Sequence, residues 1–192
     1  MFKVPTHVPV VLFVGALGTD VNKGFDLLWP AWKQLLREGN WDARLLVAGG
    51  GRRVAAWRAE AERTNVSASV HFLGFTPRVR ELLAAGDLLI SPVRYEAYGL
   101  NVHEALCRGL AVMVSETAGV AERFDGAMSE ALLPAGADPA LIAARLRGWR
   151  ADVEGWRRRA APTAARLRAR TWPAMARELV EIANRAGRRA IA

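Results

Sequence analysis

The chain has 192 residues, 52% of them hydrophobic, which is enough to bury the core of one ordinary domain. Its single cysteine, Cys107, excludes an internal disulfide and a cysteine metal cluster and favours a reducing compartment. The net charge is +8, with thirteen arginines between residues 145 and 189. This charge indicates either a nucleic-acid or anionic membrane partner, or a solvated arginine-rich helical face.

The predicted secondary structure alternates between strands and helices along the chain. Apolar residues recur at helical spacing in residues 23–38, and the pattern ends at Gly39. Thr76 is predicted to cap a short helix that has Pro77 at its first position. The predicted strands are residues 8–14, 43–48, 67–73, 88–91, 111–115 and 131–133. The predicted helices are residues 23–38, 52–63, 78–85, 100–108, 118–123, 138–150, 153–170 and 172–188.

The strand segments are continuous apolar runs, which indicates a sheet covered by helices on both faces. We therefore predict an α/β fold with a doubly wound, parallel, six-stranded Rossmann-like sheet and extra C-terminal helices. A ligand of such a sheet lies in the crevice beyond the carboxyl ends of the strands. We expect residues 1–192 to form a single domain of this kind.

Two acidic residues, Glu96 and Glu104, are separated by seven residues in the segment that follows the fourth strand. Glu96 lies in a predicted loop and Glu104 inside a predicted helix that starts near Gly99. The first N–H groups of a helix have no internal partner and attract phosphate. Two acids would repel that anion unless they accept hydrogen bonds from hydroxyl groups attached to it. The pattern therefore indicates a sugar nucleotide.

A polar loop, residues 15–24, follows the first strand and places Lys23 at the head of the next helix. A lysine there can pair with a diphosphate as a point charge, or it can be a solvated loop residue. The diphosphate interpretation is favoured because the loop is predicted to lie beside the segment with the two glutamates.

Several other segments have weaker signals. Residues 49–51 are three glycines without the full dinucleotide fingerprint, so a tight turn is favoured. Phe75, after Gly74, either stacks on a base or packs in the core. Residues 117–120 either offer backbone N–H groups to the crevice or form an ordinary turn, and the first is favoured because the segment neighbours the loop with Glu96. His103 and Glu104 are adjacent and point in different directions on a helix, so no metal site is expected. The residues interpreted as packing anchors are Trp149, Trp156 and Trp172.

Taken together, these segments resemble family 4 of the retaining glycosyltransferases, which have the GT-B fold. The resemblance runs from about residue 11 to residue 185. Its most specific part is the order of the two glutamates with Gly99-Leu100 and Glu104-Ala105. The other matching motifs are Gly15 with Lys23-Gly24, Val70-His71-Phe72-Leu73-Gly74, Ser91-Pro92, Gly109 and Gly119-Val120-Ala121-Glu122.

The resemblance implies that the chain is the donor-binding C-terminal half of a GT-B enzyme whose N-terminal acceptor domain is absent. It implies that Glu104 binds ribose hydroxyls, Glu96 faces the donor sugar and Lys23 clamps the diphosphate, with Glu96 and Lys23 catalytic. The family's arginine after the first glycine is Ala16 here, and Arg94 is a candidate substitute. The implied donor-binding residues are Gly15, Lys23, Gly74, Phe75, Thr76, Arg94, Glu96, Tyr98, Gly99, Leu100, Asn101 and Glu104.

The expected donor is a UDP-, GDP- or ADP-sugar, with no cofactor and no metal. The resemblance implies glycan synthesis for the cell envelope or exopolysaccharide. The expected location is cytoplasmic, because the longest apolar stretch, residues 8–17, is too short to cross a bilayer. Peripheral association with the inner membrane face stays open, and no nucleic-acid partner is expected. The alternatives are a sugar-nucleotide epimerase of GT-B architecture, a nicotinamide-dependent oxidoreductase and a non-enzymatic basic module that binds nucleic acid or a membrane surface.

Overall fold

The computed structural model describes residues 7–19 and 21–190, with side chains through residue 186. Asp20, in the loop after the first strand, lies outside the described residues. All strand pairs are parallel, as predicted. The strands are β1 (Val10–Val14), β2 (Arg44–Ala48), β3 (Val70–Gly74), β4 (Leu88–Ser91), β5 (Ala111–Ser115) and β6 (Leu132–Leu133).

The strand order is β3-β2-β1-β4-β5-β6. Strands β1 to β3 are added toward one edge of the sheet, and the chain then returns to the middle and adds β4 to β6 toward the other edge. This is the dinucleotide-type order, and its topological switch point lies between β1 and β4. The prediction of a doubly wound six-stranded sheet is confirmed. Residues that directly follow β1 and β4 share the carboxyl edge beside the switch point, which is the part of the fold that matters for function.

Helices cover both faces of the sheet because each right-handed crossover places its helix on the face set by the direction of travel. Accordingly, α1 packs against α5 on one face and α4 packs against α6 on the other. Two short 3-10 helices, Gly119–Arg123 and Gly126–Ala131, lie between β5 and β6. The helices are α1 (Phe25–Arg37), α2 (Val54–Arg63), α3 (Val79–Ala84), α4 (Leu100–Cys107), α5 (Pro139–Ala151), α6 (Val153–Arg168) and α7 (Trp172–Ala190).

The core combines the buried strand residues with buried side chains of the helices, and one aromatic cluster in it is formed by α1, α2 and β3. Phe25 and Trp29 are almost fully buried and surround the partly buried Phe72 of β3. Trp57 of α2 joins them, with its ring centroid 5.3 Å from that of Phe25. Tilted and edge-on aromatic contacts of this kind add to the energy of burial. This cluster anchors α1, whose first turn leads directly to the carboxyl edge.

Two local predictions are wrong. The helix α3 begins at Val79 with Arg78 as its capping residue, so Pro77 is outside the helix. The Thr76 hydroxyl accepts a hydrogen bond from the Arg78 N–H at 3.1 Å and therefore closes a turn instead of capping the helix. Trp172 is 78% exposed and is not a packing anchor, whereas Trp149 and Trp156 are buried as predicted.

Candidate functional site

The two loops that flank the switch point meet through a charged pair. Lys23 lies in the loop between β1 and α1, and Glu96 lies in the loop between β4 and α4. The Lys23 Nζ donates a hydrogen bond to the Glu96 Oε2. Both side chains keep contact with solvent, with 38% and 24% of their surface exposed. A cation and an acid are therefore held together at the place where this fold binds ligands.

The loop of Glu96 is fastened to the segment that follows β5. The Gly119 N–H donates to the Glu96 carbonyl at 3.1 Å, and the Val120 N–H donates to the Tyr98 carbonyl at 2.7 Å. A Cβ atom at Gly119 would lie 2.3 Å from the Ala97 carbonyl oxygen, so only glycine allows this approach. The expectation that residues 117–120 offer N–H groups to the crevice is wrong for Gly119 and Val120, whose amides hold the neighbouring loop, and for Ala118, whose N–H donates to the Ser115 carbonyl at 3.0 Å.

The N-terminus of α4 opens toward the same edge. Gly99 is the capping residue, and its carbonyl accepts hydrogen bonds from the Val102 and His103 N–H groups. The N–H groups of Gly99, Leu100 and Asn101 precede the first internal donor and have no acceptor within the helix. They form a cluster of donors at the positive end of the helix dipole, which favours an anion.

Asn101 has a structural contact that the sequence does not reveal. Its side-chain Nδ2 donates to the carbonyl oxygen of Val14, the last residue of β1, at 3.0 Å. This bond fixes the start of α4 against the end of the other strand at the switch point. The contact gives Asn101 a role in positioning the helix, and its role in donor binding stays a prediction.

Glu104 lies one turn into α4 with an exposed side chain. It borders an open groove of about 690 Å³ between α3 and α4. Arginines on both helices give this groove a positive rim, where the Glu104 carboxylate adds a hydrogen-bond acceptor. The groove is lined by Arg80, Ala84, Glu104, Cys107 and Arg108. Burial raises the pKa of the Cys107 thiol, with Arg168 opposing the effect, so this cysteine is not a reactive thiolate at neutral pH.

The side chains of Tyr98 and His103 form a pair that sequence reasoning missed, since Tyr98 was considered only as a donor-binding residue and His103 only as a metal ligand. The Tyr98 hydroxyl and the His103 Nδ1 are hydrogen-bonded at 2.7 Å. Burial lowers the pKa of His103, and the charges of Arg170 and Arg123 lower it further while Glu104 raises it. The imidazole is therefore neutral at neutral pH and connects the Glu96 loop to the body of α4.

The loop that starts at Gly15 is held by the turn after β2. The Gly15 N–H donates to the Ala48 carbonyl at 3.0 Å, and the Leu17 N–H donates to the Gly50 carbonyl at 2.9 Å. The glycines at residues 49–51 thus form a connection packed against this loop, and the turn that was predicted for them lies at residues 52–53 instead. Because the Gly15 amide is engaged, any contact of Gly15 with a ligand must come from its position and not from its N–H group.

The end of β3 places an aromatic side chain at the surface of the same edge. Phe75 is 84% exposed, so it is not a core residue, and the stacking role remains a prediction. The carbonyl of the preceding Gly74 accepts a hydrogen bond from the Gly49 N–H at 2.8 Å. An exposed aromatic ring beside Gly74 and Thr76 is a suitable platform for a planar base.

Arg94 lies beside the site but is engaged by protein groups. Its guanidinium donates to both carboxylate oxygens of Asp26, at 2.9 and 2.7 Å, and to the Val21 carbonyl at 2.6 Å. The hydrogen bond to Asp26 raises the pKa of Arg94. Sequence reasoning missed Asp26, although an acid three residues after Lys23 in the first turn of a helix was a usable signal.

Among the arginines whose side chains the structure describes between residues 145 and 186, seven of eleven lie within 4.0 Å of an acid. This supports the solvated-face interpretation of the charge, since each pair removes a positive charge from the field of the surface. The pairs within 3.3 Å are Arg147–Glu38, Arg150–Asp42, Arg157–Asp87, Arg157–Glu154, Arg159–Asp152, Arg159–Glu130 and Arg166–Asp125. Across residues 7–19 and 21–190, every helix is too short or too polar to cross a membrane. In the same residues no three His, Cys, Asp or Glu side chains are grouped to hold a metal.

Sequence comparison finds relatives among enzymes that transfer sugars. Residues 8–152, more than half of the chain, match the family described as glycosyl transferases group 1. A glycogen synthase of Thioalkalivibrio sulfidiphilus is 34% identical over 147 residues, which cover 75% of this chain and 28% of that protein. The chain therefore spans only a part of such enzymes.

Solved structures agree with this fold. WaaG, a glycosyltransferase of lipopolysaccharide biosynthesis, is 27% identical with a TM-score of 0.70, and the match covers 84% of this chain and 44% of WaaG. Anabaena HepE, solved with UDP-glucose, is 20% identical with a TM-score of 0.69, covering 85% of this chain and 45% of HepE. At that identity the second likeness concerns the fold alone.

Proposed function

The chain belongs to the group 1 glycosyltransferases, and from that premise we propose that it binds the nucleotide-diphosphate sugar donor for a retaining transfer reaction. The observation that carries the proposal is the meeting of Lys23 and Glu96 beside the N-terminus of α4 at the switch point. The chain spans less than half of the relatives named above, so we assign acceptor binding to a part of the enzyme that lies outside this sequence.

Cleavage of the sugar–phosphate bond develops negative charge on the leaving diphosphate. Lys23 supplies a positive charge, and the free N–H groups at Gly99, Leu100 and Asn101 supply aligned dipoles. The helix dipoles are fixed before the reaction, and Lys23 stabilises the developing charge once the diphosphate shares it with Glu96 or takes it over. This electrostatic role needs no metal ion.

The two acids bind hydroxyl groups on either side of the diphosphate. Glu96, beside Lys23, accepts hydrogen bonds from the donor sugar, and Glu104, further along α4, accepts them from the ribose. Phe75 and the backbone around Gly74 and Thr76 hold the base. HepE was solved with UDP-glucose, which is a donor of this class and supports the proposal at the level of the fold.

We assign neither acid as a nucleophile, although retaining glycoside hydrolases use one. Glu104 borders the groove away from Lys23, and Glu96 is already engaged by that lysine. The leaving phosphate is the proposed base that takes the proton of the acceptor. A glycan acceptor of the cell envelope or exopolysaccharide fits relatives that make glycogen and lipopolysaccharide.

A thermal-shift screen of UDP, GDP and ADP, each with and without glucose attached, tests the proposal. We expect one base to stabilise the chain, with isothermal calorimetry then giving one site. Transfer itself requires the acceptor half, so turnover by the isolated chain is expected to be low. If none of the six ligands binds at millimolar concentration, the proposal is wrong. A product assay with the full enzyme separates transfer from epimerisation.

A further inference from the structure

We propose that Arg94 is a positioning residue that aligns Lys23 with Glu96 through Asp26, and that it is not a ligand of the diphosphate. The inference rests on the proposed function, because it concerns how the two loops of that site are held. It replaces the role that sequence reasoning gave to Arg94, a substitute phosphate clamp.

Arg94 makes four hydrogen bonds to the loop and helix that follow β1. Its two terminal nitrogens donate to Asp26 in a bidentate arrangement at 2.9 and 2.7 Å, and one of them also donates to the Val21 carbonyl at 2.6 Å. Its backbone N–H donates to the Asn22 carbonyl at 2.8 Å. These contacts bracket Lys23 on both sides, since Val21 and Asn22 precede it and Asp26 follows it.

The same residue is two positions from Glu96 in the other loop. The two loops also touch where Gly24 meets Pro92, because a Cβ atom at Gly24 would lie 1.7 Å from the Pro92 carbonyl oxygen. Arg94 therefore joins the chain segments of the cation and the acid next to this contact. Asp26 is a fixed partner because it belongs to the first turn of α1, where a carboxylate is favoured by the helix dipole.

The charge balance argues against a direct role in binding the diphosphate. The Asp26 carboxylate offsets the charge of Arg94, as Glu96 offsets that of Lys23, but the guanidinium is held by three side-chain hydrogen bonds whereas Lys23 donates one to Glu96. A phosphate that recruited the guanidinium would leave the carboxylate of Asp26 and the carbonyl of Val21 without their donors. Planar bidentate pairing is a property that lysine cannot reproduce, so the geometry, more than the charge, is what this position requires.

Substitution of each partner separates the two roles. We expect Arg94→Met and Asp26→Asn each to weaken the affinity for UDP, GDP or ADP, whichever the unsubstituted chain binds best, by about five- to tenfold, the usual scale of coupling through a network. The double substitution is expected to be no worse than either single one. Arg94→Lys is expected to resemble Arg94→Met.

The pair Arg150–Asp42 supplies a matched control. It is also bidentate, at 2.8 and 2.7 Å, with the same 37% exposure of the arginine, but Asp42 precedes β2 and so lies at the opposite edge of the sheet. Arg150→Met and Asp42→Asn are expected to leave nucleotide affinity unchanged. If Arg94 instead bound the diphosphate directly, Asp26→Asn would free its guanidinium, and the affinity for the nucleotide would be kept or increased. That result would overturn the inference.

A ligand-free measurement keeps the inference separate from the proposed function. Hydrogen exchange at the amides of Gly24 and Arg94 reports the bonds to Val21 and Asn22. We expect Arg94→Met to accelerate exchange at both amides, whereas Arg150→Met leaves them unchanged. Unaltered exchange would refute the positioning role whether or not a nucleotide binds. Failure of the unsubstituted chain to bind any nucleotide would refute only the proposed function.

Discussion

Lys23 and Glu96 lie 73 positions apart in the sequence and form an ion pair at the switch point of the sheet. The charge that is proposed to bind the diphosphate is therefore already neutralised before the ligand arrives. An incoming diphosphate must share Lys23 with Glu96 or take it over. The sugar hydroxyls can then satisfy the Glu96 carboxylate, so the pair links recognition of the phosphates to recognition of the sugar.

Removal of the Glu96 charge is expected to affect two ligands in opposite directions. Glu96→Gln frees Lys23 and removes a negative charge near the phosphates, so affinity for the bare nucleoside diphosphate is expected to rise by about fivefold. Preference for the nucleotide sugar over the bare diphosphate is expected to fall. Calorimetry with both ligands measures this, and Glu60→Gln, which breaks the similar pair Lys33–Glu60 between α1 and α2, serves as control. A parallel loss of affinity for both ligands would contradict the exchange of partners.

Loss of the lysine is expected to weaken all ligands that contain the diphosphate. Lys23→Met is expected to reduce affinity by about tenfold or more, because a positive charge beside two phosphoryl groups is lost. The salt dependence of binding is expected to become shallower in this variant. Lys33→Met is the matched control, and equal effects of both substitutions would show that the charge acts at long range and not at the site.

The proposed ribose contact of Glu104 can be tested with the ligand as well as the protein. In the unsubstituted chain, a 2′,3′-dideoxyribose nucleotide is expected to bind about tenfold more weakly than its ribose counterpart, since hydrogen bonds to charged groups have this strength. In Glu104→Ala the two are expected to bind equally. Glu154→Gln, at an exposed acid of α6, is the control. Persistent discrimination by Glu104→Ala would remove Glu104 from the ribose site.

The close approach at Gly119 predicts a loss of stability. Gly119→Ala must displace the Ala97 carbonyl, which its Cβ would approach to 2.3 Å, and is expected to cost about 1–3 kcal/mol as overpacking does. Gly148→Ala has open space inside α5 and is expected to gain about 0.5–1 kcal/mol. Urea unfolding monitored by circular dichroism compares the two. Equal stability would mean that the Glu96 loop is not held by residues 118–120.

The fold could be predicted from the sequence because strands that are buried on both faces have continuous apolar segments, such as residues 111–115. The position of the candidate site followed from the strand order, since Lys23 and Glu96 come after strands that meet at the switch point. The exposure of Trp172 could not be predicted, because an apolar residue at a helical position does not show whether another element packs over it.

The partners of Arg94 and of His103 were also beyond sequence reasoning, for a different reason. Arg94 and Asp26 are 68 positions apart, and their contact exists only because two loops converge at one edge. Tyr98 and His103 are near in sequence, but their contact depends on how the chain enters α4. Local propensity carries no information about such tertiary contacts. The residue types of Arg94 and His103 alone were compatible with several roles.

The lowered pKa of His103 predicts that the folded chain loses stability in mild acid. Burial lowers this pKa and the charges of Arg170 and Arg123 add to the effect, while Glu104 opposes it. Between the folded pKa and the unfolded value of about 6.5, the unfolded chain therefore binds more protons, so stability falls as pH decreases through this window. Above the unfolded value the residue contributes no pH dependence.

Urea unfolding at pH 7.5 and at pH 5.5 is expected to show a larger decrease in the free energy of unfolding for the unsubstituted chain than for His103→Gln, which keeps a polar side chain but cannot titrate. His71→Gln is the control, because this second histidine is exposed at the sheet edge. If His103→Gln retains the full pH dependence, the acid sensitivity belongs to other groups and the imidazole is not the one that titrates.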